Sequence, residues 1–352
     1  MTFQVEMLPS GHRFTVEAGD TLLDGALRSG LNVRYNCSSG SCGDCRARLI
    51  SGKLGLVDHF DYVFREAEKQ QGQFLLCRAR AAGDLVIEAL EASQPADIPH
   101  QEISTQVAGL ETLSEDILTL QLRTPRSKTL WFLAGQHVTL HLDGLAPRSK
   151  SVASCPCNGR VLQFHVRRRP GDPFSDRIFD QLKLRDKISL EGPFGDFILD
   201  ENSERPAIFL AYETGFAPIK SIIEHAISLE WPSPIHLYWV AREESGHYQE
   251  NICRSWETAL DDYHFYPLIG SGDNPHWQPP QTLAGQDMAN LTAVERSLFH
   301  AASRIVVDFP DLSGFDLYVS APQHRLRNLS LLLQQHQLPA ERLFVDHIRH
   351  YD

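Results

Sequence analysis

Four cysteines constrain this chain more than any other feature. Cys37, Cys42 and Cys45 lie in one short stretch, Cys37-Ser-Ser-Gly-Ser-Cys42-Gly-Asp-Cys45, and Cys77 stands far beyond it. The spacing is C-x4-C-x2-C with a remote fourth cysteine. A zinc knuckle pair would need two C-x2-C units, and only one is present here. A disulfide framework belongs to short secreted chains. This chain has 352 residues and 7 cysteines, and its first 20 residues lack the basic-then-apolar order of a signal peptide. A reducing compartment, the cytoplasm, is therefore expected.

A [2Fe–2S] cluster satisfies the pattern. Each iron takes two bridging sulfides and two thiolates, so four cysteines are needed, three of them from one wrapped loop. Gly40 and Gly43 fall inside that loop, where the tight path calls for positive φ. Ser38, Ser39 and Ser41 are small and leave backbone N–H groups free for the sulfurs, which tunes the potential. Thr15 to Gly30 reads as a strand, a turn and a helix, with Asp20 or Thr21 at its start and Gly30 at its end. Strands are expected over 49–54 and 84–88. These features resemble the plant-type ferredoxin domain, a β-grasp fold, over residues 1–92. The resemblance implies Cys37, Cys42, Cys45 and Cys77 as the iron ligands.

The length allows two or three domains. Hydrophobic residues make up 42% and charged residues 22%, ordinary values for a globular protein. No apolar run is long enough for a membrane span. The net charge of −12 is uneven: the excess acid lies mainly beyond about residue 200, and the segment near 120–190 is slightly basic. That balance argues against nucleic-acid binding. Residues 93–102, polar with two prolines, read as a linker.

Residues 103–200 carry short period-2 runs at 105–110, 117–123, 137–142 and 162–167, the pattern of an antiparallel barrel. Arg148-Ser-Lys150-Ser151-Val-Ala-Ser154, then Gly171 to Ser175, then Gly192-Pro-Phe-Gly195-Asp-Phe197 follow in order. In that order they resemble the flavin domain of the ferredoxin–NADP reductase superfamily. The resemblance implies FAD, with Arg148 on the pyrophosphate, Ser151 beside the reactive ring edge as a candidate catalytic residue, and Gly171 and Ser175 at the phosphates. Lys150 stands where the family has a Tyr packed on the flavin. A lysine cannot stack, but its charge can favour a reduced, anionic flavin. Arg167, Arg168 and Arg169 read as a solvated strand end or as further phosphate contacts. Cys155 and Cys157 are expected as free thiols.

Residues 204–352 alternate strands at 207–211, 235–242 and 315–322 with helices, one of them over 324–335, which implies a doubly wound parallel sheet. Thr214-Gly215-Phe-Ala-Pro218 resembles the turn of the superfamily's pyridine-nucleotide domain. The resemblance implies Thr214, Gly215, Pro218 and Arg242 as nucleotide contacts and Ser320 as a second candidate catalytic residue. Tyr212-Glu213 replaces two family glycines, and Ser320-Ala321-Pro322 replaces Cys-Gly-Pro. The connection 278–304 is longer than usual.

The whole chain is thus an α+β and α/β multidomain protein: β-grasp ferredoxin, antiparallel flavin barrel, parallel-sheet nucleotide domain. It resembles the single-chain reductases that feed bacterial oxygenases and CDP-6-deoxy-glucoseen dehydratase. The resemblance implies NAD(P)H, with NADH preferred, as the source of electrons. They would pass through FAD and the cluster to an oxygenase or dehydratase partner. Lys150, Glu213 and Ser320 keep an alternative open: an electron carrier or assembly subunit reduced by another protein.

Overall fold

The computed structural model describes residues 1–58, 63–270, 292–322 and 326–346. Among these residues three sheets form, one for each expected segment. The first contains β1 (Thr2–Leu8), β2 (Arg13–Glu17), β3 (Arg46–Val57), β4 (Gln73–Leu75) and β5 (Ala79–Ala89), with helices α1 (Leu22–Arg28) and α2 (Glu66–Gln70). Its order is β2-β1-β5-β3-β4, with β1 parallel to β5 and the other pairs antiparallel. Alternation does the work: Val5, Met7, Phe14, Val16, Leu85 and Ile87 point into one core against Leu22, Leu23 and Ala26 of the helix. Thr21 caps α1 in a box with Asp24, and Gly30 turns the chain out at φ 77°.

The second sheet holds β6 (Gln101–Thr112), β7 (Ile117–Arg123), β8 (His137–His141), β9 (Arg148–Ser151), β10 (Val161–Arg167) and β11 (Lys187–Phe194), with the single turn α3 (Pro173–Asp176) after β10. The order β10-β7-β6-β11-β8-β9 is antiparallel throughout. Its two edges meet just past β9, where the Ala153 N–H donates to the Gln163 carbonyl at 2.8 Å. The sheet is thereby rolled into a barrel around Leu120, Val138, Leu140, Phe164 and Leu190.

The third sheet is parallel. It contains β12 (Ala207–Tyr212), β13 (Ile235–Ala241), β14 (Tyr263–Ile269), β15 (Asp316–Ser320) and β16 (Leu343–Val345) in the order β14-β13-β12-β15-β16. Helices α4 (Phe216–Ser228), α5 (Glu250–Ala259), α6 (Ala293–Asp308) and α7 (Arg327–Gln335) connect and cover it. Both faces are buried, which explains the unbroken apolar runs of its strands. Ile208 and Leu210 pack on one side, and Phe209 and Ala211 on the other. The expected helix over 324–335 is seen from Arg327; residues 324 and 325 lie outside the described residues. So does most of the 278–304 connection, whose end forms part of α6.

One expectation is corrected. Cys155 and Cys157, expected as free thiols, are joined in a disulfide. Pro156 between them lies in a tight turn that Cys155 opens, which brings their Cα atoms to 5.3 Å, within reach of a bridge.

Candidate functional site

The cysteine loop links α1 to β3, and Cys77 follows the short strand β4. Gly40 and Gly43 have φ of 84° and 80°, as the tight path demands. A Cβ on Gly40 would press on the Arg78 side chain at 2.8 Å. The Ser39 and Cys42 N–H groups each donate to the Cys37 sulfur at 3.4 Å, and the Asp44 N–H donates to the Cys42 sulfur at 3.4 Å. Burial pushes the Cys37 thiol up, but the Ser39 and Ser41 side chains and the Ser39 N–H outweigh it and hold it at about 5.

The thiols act on one another in two neighbouring pairs, Cys37 with Cys42 and Cys45 with Cys77. Among the described residues, no group of three or more His, Cys, Asp or Glu side chains is arranged to hold a single metal ion. Two pairs suit a two-iron cluster, in which each iron takes two thiolates, and do not suit one zinc ion. Cys37, Cys45 and Cys77 are buried, and Cys42 reaches the surface.

This loop rests against the barrel. Arg160 donates from one terminal nitrogen to the carbonyls of Cys37 at 2.8 Å and Asn36 at 3.3 Å, and to the Ser38 hydroxyl at 3.3 Å. The Thr129 hydroxyl donates to the Tyr35 carbonyl at 2.8 Å. The indole N–H of Trp131 donates to the Asn32 side chain at 2.9 Å. Nothing local in the sequence announced Arg160 or Asn32.

A cavity of about 550 Å³ opens between the barrel and the parallel sheet. Lys150 and Ser151 line it from β9, His165 and Arg167 from β10, and Tyr212, Glu213, Thr214 and Arg242 from the parallel sheet's carboxyl ends. Ligands bind at such strand ends in parallel sheets. Two buried polar atoms of the lining, His165 Nε2 and Arg167 Nε, make no hydrogen bond. Orphaned polar atoms around a basic cavity fit an anionic, polar-edged cofactor such as FAD.

The candidate residues divide. Lys150, Ser151, Thr214 and Arg242 share the cavity wall. Lys150 has no hydrogen-bond or ion-pair partner among the described residues. Burial first, then Arg169, lowers its pKa to about 8 against the pull of Asp172. Arg148 pairs with Asp172 at 3.2 Å, and Asp172 also accepts the Ser175 N–H that opens the turn after β10. Gly171 bends there at φ 80°. The Ser175 hydroxyl is enclosed by that turn, bonded to Arg169 and Asp172 backbone groups.

Gly215 packs so closely on β15 that a Cβ would collide with the Ser320 carbonyl. Pro218 is buried in the first turn of α4. Ser320 is fully buried, and its hydroxyl donates to Asp346 at 2.8 Å rather than facing the cavity.

Glu213 departs furthest from the pattern. It sits at φ 54°, a left-handed conformation unfavourable for a residue with a side chain. Its carboxylate is 5% exposed, forms an ion pair with Arg167 of the barrel, and accepts the Arg242 N–H at 2.5 Å. The indole N–H of Trp239 holds its carbonyl at 3.0 Å. Arg167 also reaches Asp116 at 2.8 Å.

Known proteins share both halves of this arrangement. Residues 5–82 match the 2Fe-2S iron-sulfur cluster binding domain, and residues 104–198 match the oxidoreductase FAD-binding domain. The CDP-6-deoxy-L-threo-D-glycero-4-hexulose-3-dehydrase reductase of Yersinia pestis is 32% identical over 320 residues, 90% of this chain and 90% of its own length. The chain belongs to this family of iron–sulfur flavoprotein reductases. Reductase component 2 of terephthalate 1,2-dioxygenase from Comamonas sp is 32% identical, over 78% of this chain and 81% of its own. The Amycolatopsis cytochrome P450 reductase GcoB shares the fold, with a TM-score of 0.59 at 24% identity over 97% of this chain and 98% of its own. In this reductase family member, the four cysteines lie within the matched cluster-binding domain, and the β9 and β10 walls of the cavity lie within the matched FAD-binding domain. No helix among its described residues is long and apolar enough to cross a membrane.

Proposed function

We propose that this chain takes a hydride from a nicotinamide nucleotide, preferably NADH, and hands the electrons singly to a partner oxygenase or dehydratase in the cytoplasm. FAD supplies the conversion between two-electron and one-electron transfer, and the [2Fe–2S] cluster supplies the one-electron exit. The observation that carries the reading is the direct seating of the cysteine loop on the barrel through Arg160. Ser151 and Lys150 would contact the flavin. Arg148 would hold its pyrophosphate, released from Asp172, with Gly171 and the turn at Ser175 shaping the loop around it. Thr214, Gly215, Pro218 and Arg242 would meet the nucleotide. Ser320 would act from behind this wall, through the tight approach of Gly215.

The partner class follows from the relatives, which serve a dehydrase and dioxygenases by name. Cys42, exposed at the loop's tip, marks the side from which electrons would leave. The test is an anaerobic stopped-flow mix of reconstituted protein with NADH. Bleaching of the flavin within seconds at millimolar NADH supports the reading, and its absence overturns it.

The Glu213–Arg167 ion pair favours a second reading. A carboxylate occupying the turn where a diphosphate would be bound repels that diphosphate. In this reading the chain is an electron carrier or assembly subunit, and another protein reduces its cluster.

A further inference from the structure

The Cys155–Cys157 disulfide lies outside both cofactor sites, at the place where all three domains meet. It falls between β9 and β10 of the barrel. On its near side, α4 of the parallel-sheet domain grips the chain. The Lys220 ammonium donates to the Ala153 carbonyl at 3.0 Å, and the Ser221 hydroxyl donates to the Ser154 carbonyl at 2.8 Å. The Cys155 N–H donates to the Glu224 carboxylate at 3.1 Å. On its far side the ferredoxin domain makes the contacts. The Gly159 N–H donates to the Tyr35 hydroxyl at 3.3 Å, and Arg160 holds the Cys37 carbonyl. Residues 153–160 are thus a clamp with one jaw on each neighbouring domain, and the bridge spans the turn between the jaws.

The bridge is open to attack from one side. Cys155 is 7% exposed, whereas Cys157 is half-buried and stands next to the exposed Asn158. An incoming thiolate therefore reaches the Cys157 sulfur. The leaving sulfur is that of Cys155, which already accepts the Cys157 N–H at 3.2 Å. A hydrogen bond to a departing thiolate favours its departure. The bridge encloses only Pro156, so as a chain cross-link it stabilises little. It restrains the turn instead: with Pro156 fixed in φ and the sulfurs joined, the path from Cys155 to Gly159 has few alternatives. In the cytoplasm proposed above, disulfides are usually catalytic or redox-sensing rather than structural.

We infer that Cys155 and Cys157 form a reversible redox-modification site, opened by dithiol reductants, whose closed state seats the ferredoxin domain on the barrel for electron passage. One thiolate of the dithiol attacks the Cys157 sulfur. The S–S bond breaks, and its electron pair leaves on Cys155, which takes up a proton. The second thiol of the reductant then displaces Cys157 from the mixed disulfide, and Cys157 takes up a proton in turn. Two electrons and two protons pass to the pair, and the reductant leaves as a disulfide. Opening returns freedom to the turn, so the jaw at Gly159 and Arg160 loosens. The consequence for electron passage rests on the flavin and cluster reading; the thiol chemistry does not.

The test uses the full reconstituted chain, treated with oxidised glutathione or with millimolar dithiothreitol. After unfolding in acid, alkylation should count 5 free thiols in the oxidised chain and all 7 cysteines in the reduced one. Hydrogen exchange over residues 153–160 should run about fivefold faster in the open form. Flavin-to-cluster electron passage should slow about threefold. The double variant Cys155→Ser/Cys157→Ser should match the open form and ignore dithiothreitol; if it does not fold, Cys157→Ala, at the half-buried position, serves the same comparison. A bridge that dithiothreitol does not open, or that oxidised glutathione does not re-form, overturns the proposal. So does equal hydrogen exchange or equal electron passage in the two states. A dithiothreitol response that persists in the variant also overturns it, because the reductant would then be acting on the cluster. A chain that retains no FAD would instead remove the flavin reading, while the thiol count and the exchange would still decide the switch.

Discussion

Arg160 of the flavin barrel donates to the carbonyl oxygen of Cys37, an expected iron ligand, at 2.8 Å. The same guanidinium reaches Asn36 and Ser38, so one side chain holds the entry of the cysteine loop to the barrel. Charge-assisted bonds of this kind contribute about 1.5–3 kcal/mol. Arg160→Met should leave cluster absorption and flavin content intact while slowing electron passage from flavin to cluster about tenfold or more. Stopped-flow absorbance, with flavin and cluster bands followed separately, reads this. An unchanged inter-centre rate would show that the contact does not set the approach.

Cys42 is the exposed ligand candidate, and its sulfur receives the Asp44 N–H. Cys42→Ser should abolish the cluster's visible absorption and electron paramagnetic resonance signal with FAD still bound in full. Loss of both cofactors together would mean that the barrel depends on the ferredoxin domain for its fold.

Glu213 combines an unfavourable backbone conformation, of order 1–2 kcal/mol, with a buried ion pair. Glu213→Gly relieves the first and frees Arg167 and the Arg242 N–H for an anion. NADH should bind several-fold more tightly to this variant by calorimetry. Glu213→Gln, which keeps the side chain but not the charge, should gain less. No gain in either would remove the repulsion argument.

Lys150 gives a pH signature. Its pKa in the folded chain is about 8, below the ordinary 10.5, because burial and Arg169 disfavour its charge. Between these two values the unfolded chain holds a proton that the folded chain does not, so stability of the FAD-free protein should rise with pH there. Below about 8 both states are protonated and the contribution is flat. Affinity for FAD should move the other way, falling as pH climbs through about 8 and the cation is lost. Fluorescence titrations from pH 7 to 9 check this, and Lys150→Met should abolish the dependence.

The sequence made the ferredoxin domain readable because its constraints are local. The cysteine spacing, the positive φ of Gly40 and Gly43 and the Thr21 cap are all set within a few residues. The unbroken apolar strands likewise announced a parallel sheet buried on both faces. What stayed hidden depends on partners distant in the chain. Glu213 looked like a bare negative charge at a phosphate turn, and only the fold shows that Arg167 pairs with it. Ser320 looked available for chemistry, but Asp346 takes its hydroxyl. His165 occupies the polar side of an alternating strand, which reads as solvent-facing until a second domain covers it. The Cys155–Cys157 bridge depends on a turn geometry that composition and compartment arguments do not address.

The distance in sequence between Cys45 and Cys77 has a consequence for assembly. Their pairing at a cluster would close a loop of roughly 30 residues, and a cross-link of that span removes several kcal/mol of chain entropy from the unfolded ensemble. Iron insertion is then a folding event as much as a redox one. Stripping the iron with a chelator should first loosen β3 and β4 around the cluster, and with them the cysteine loop that Arg160 holds to the barrel. A cell short of iron would make a chain whose exit is unlatched before its entry is affected.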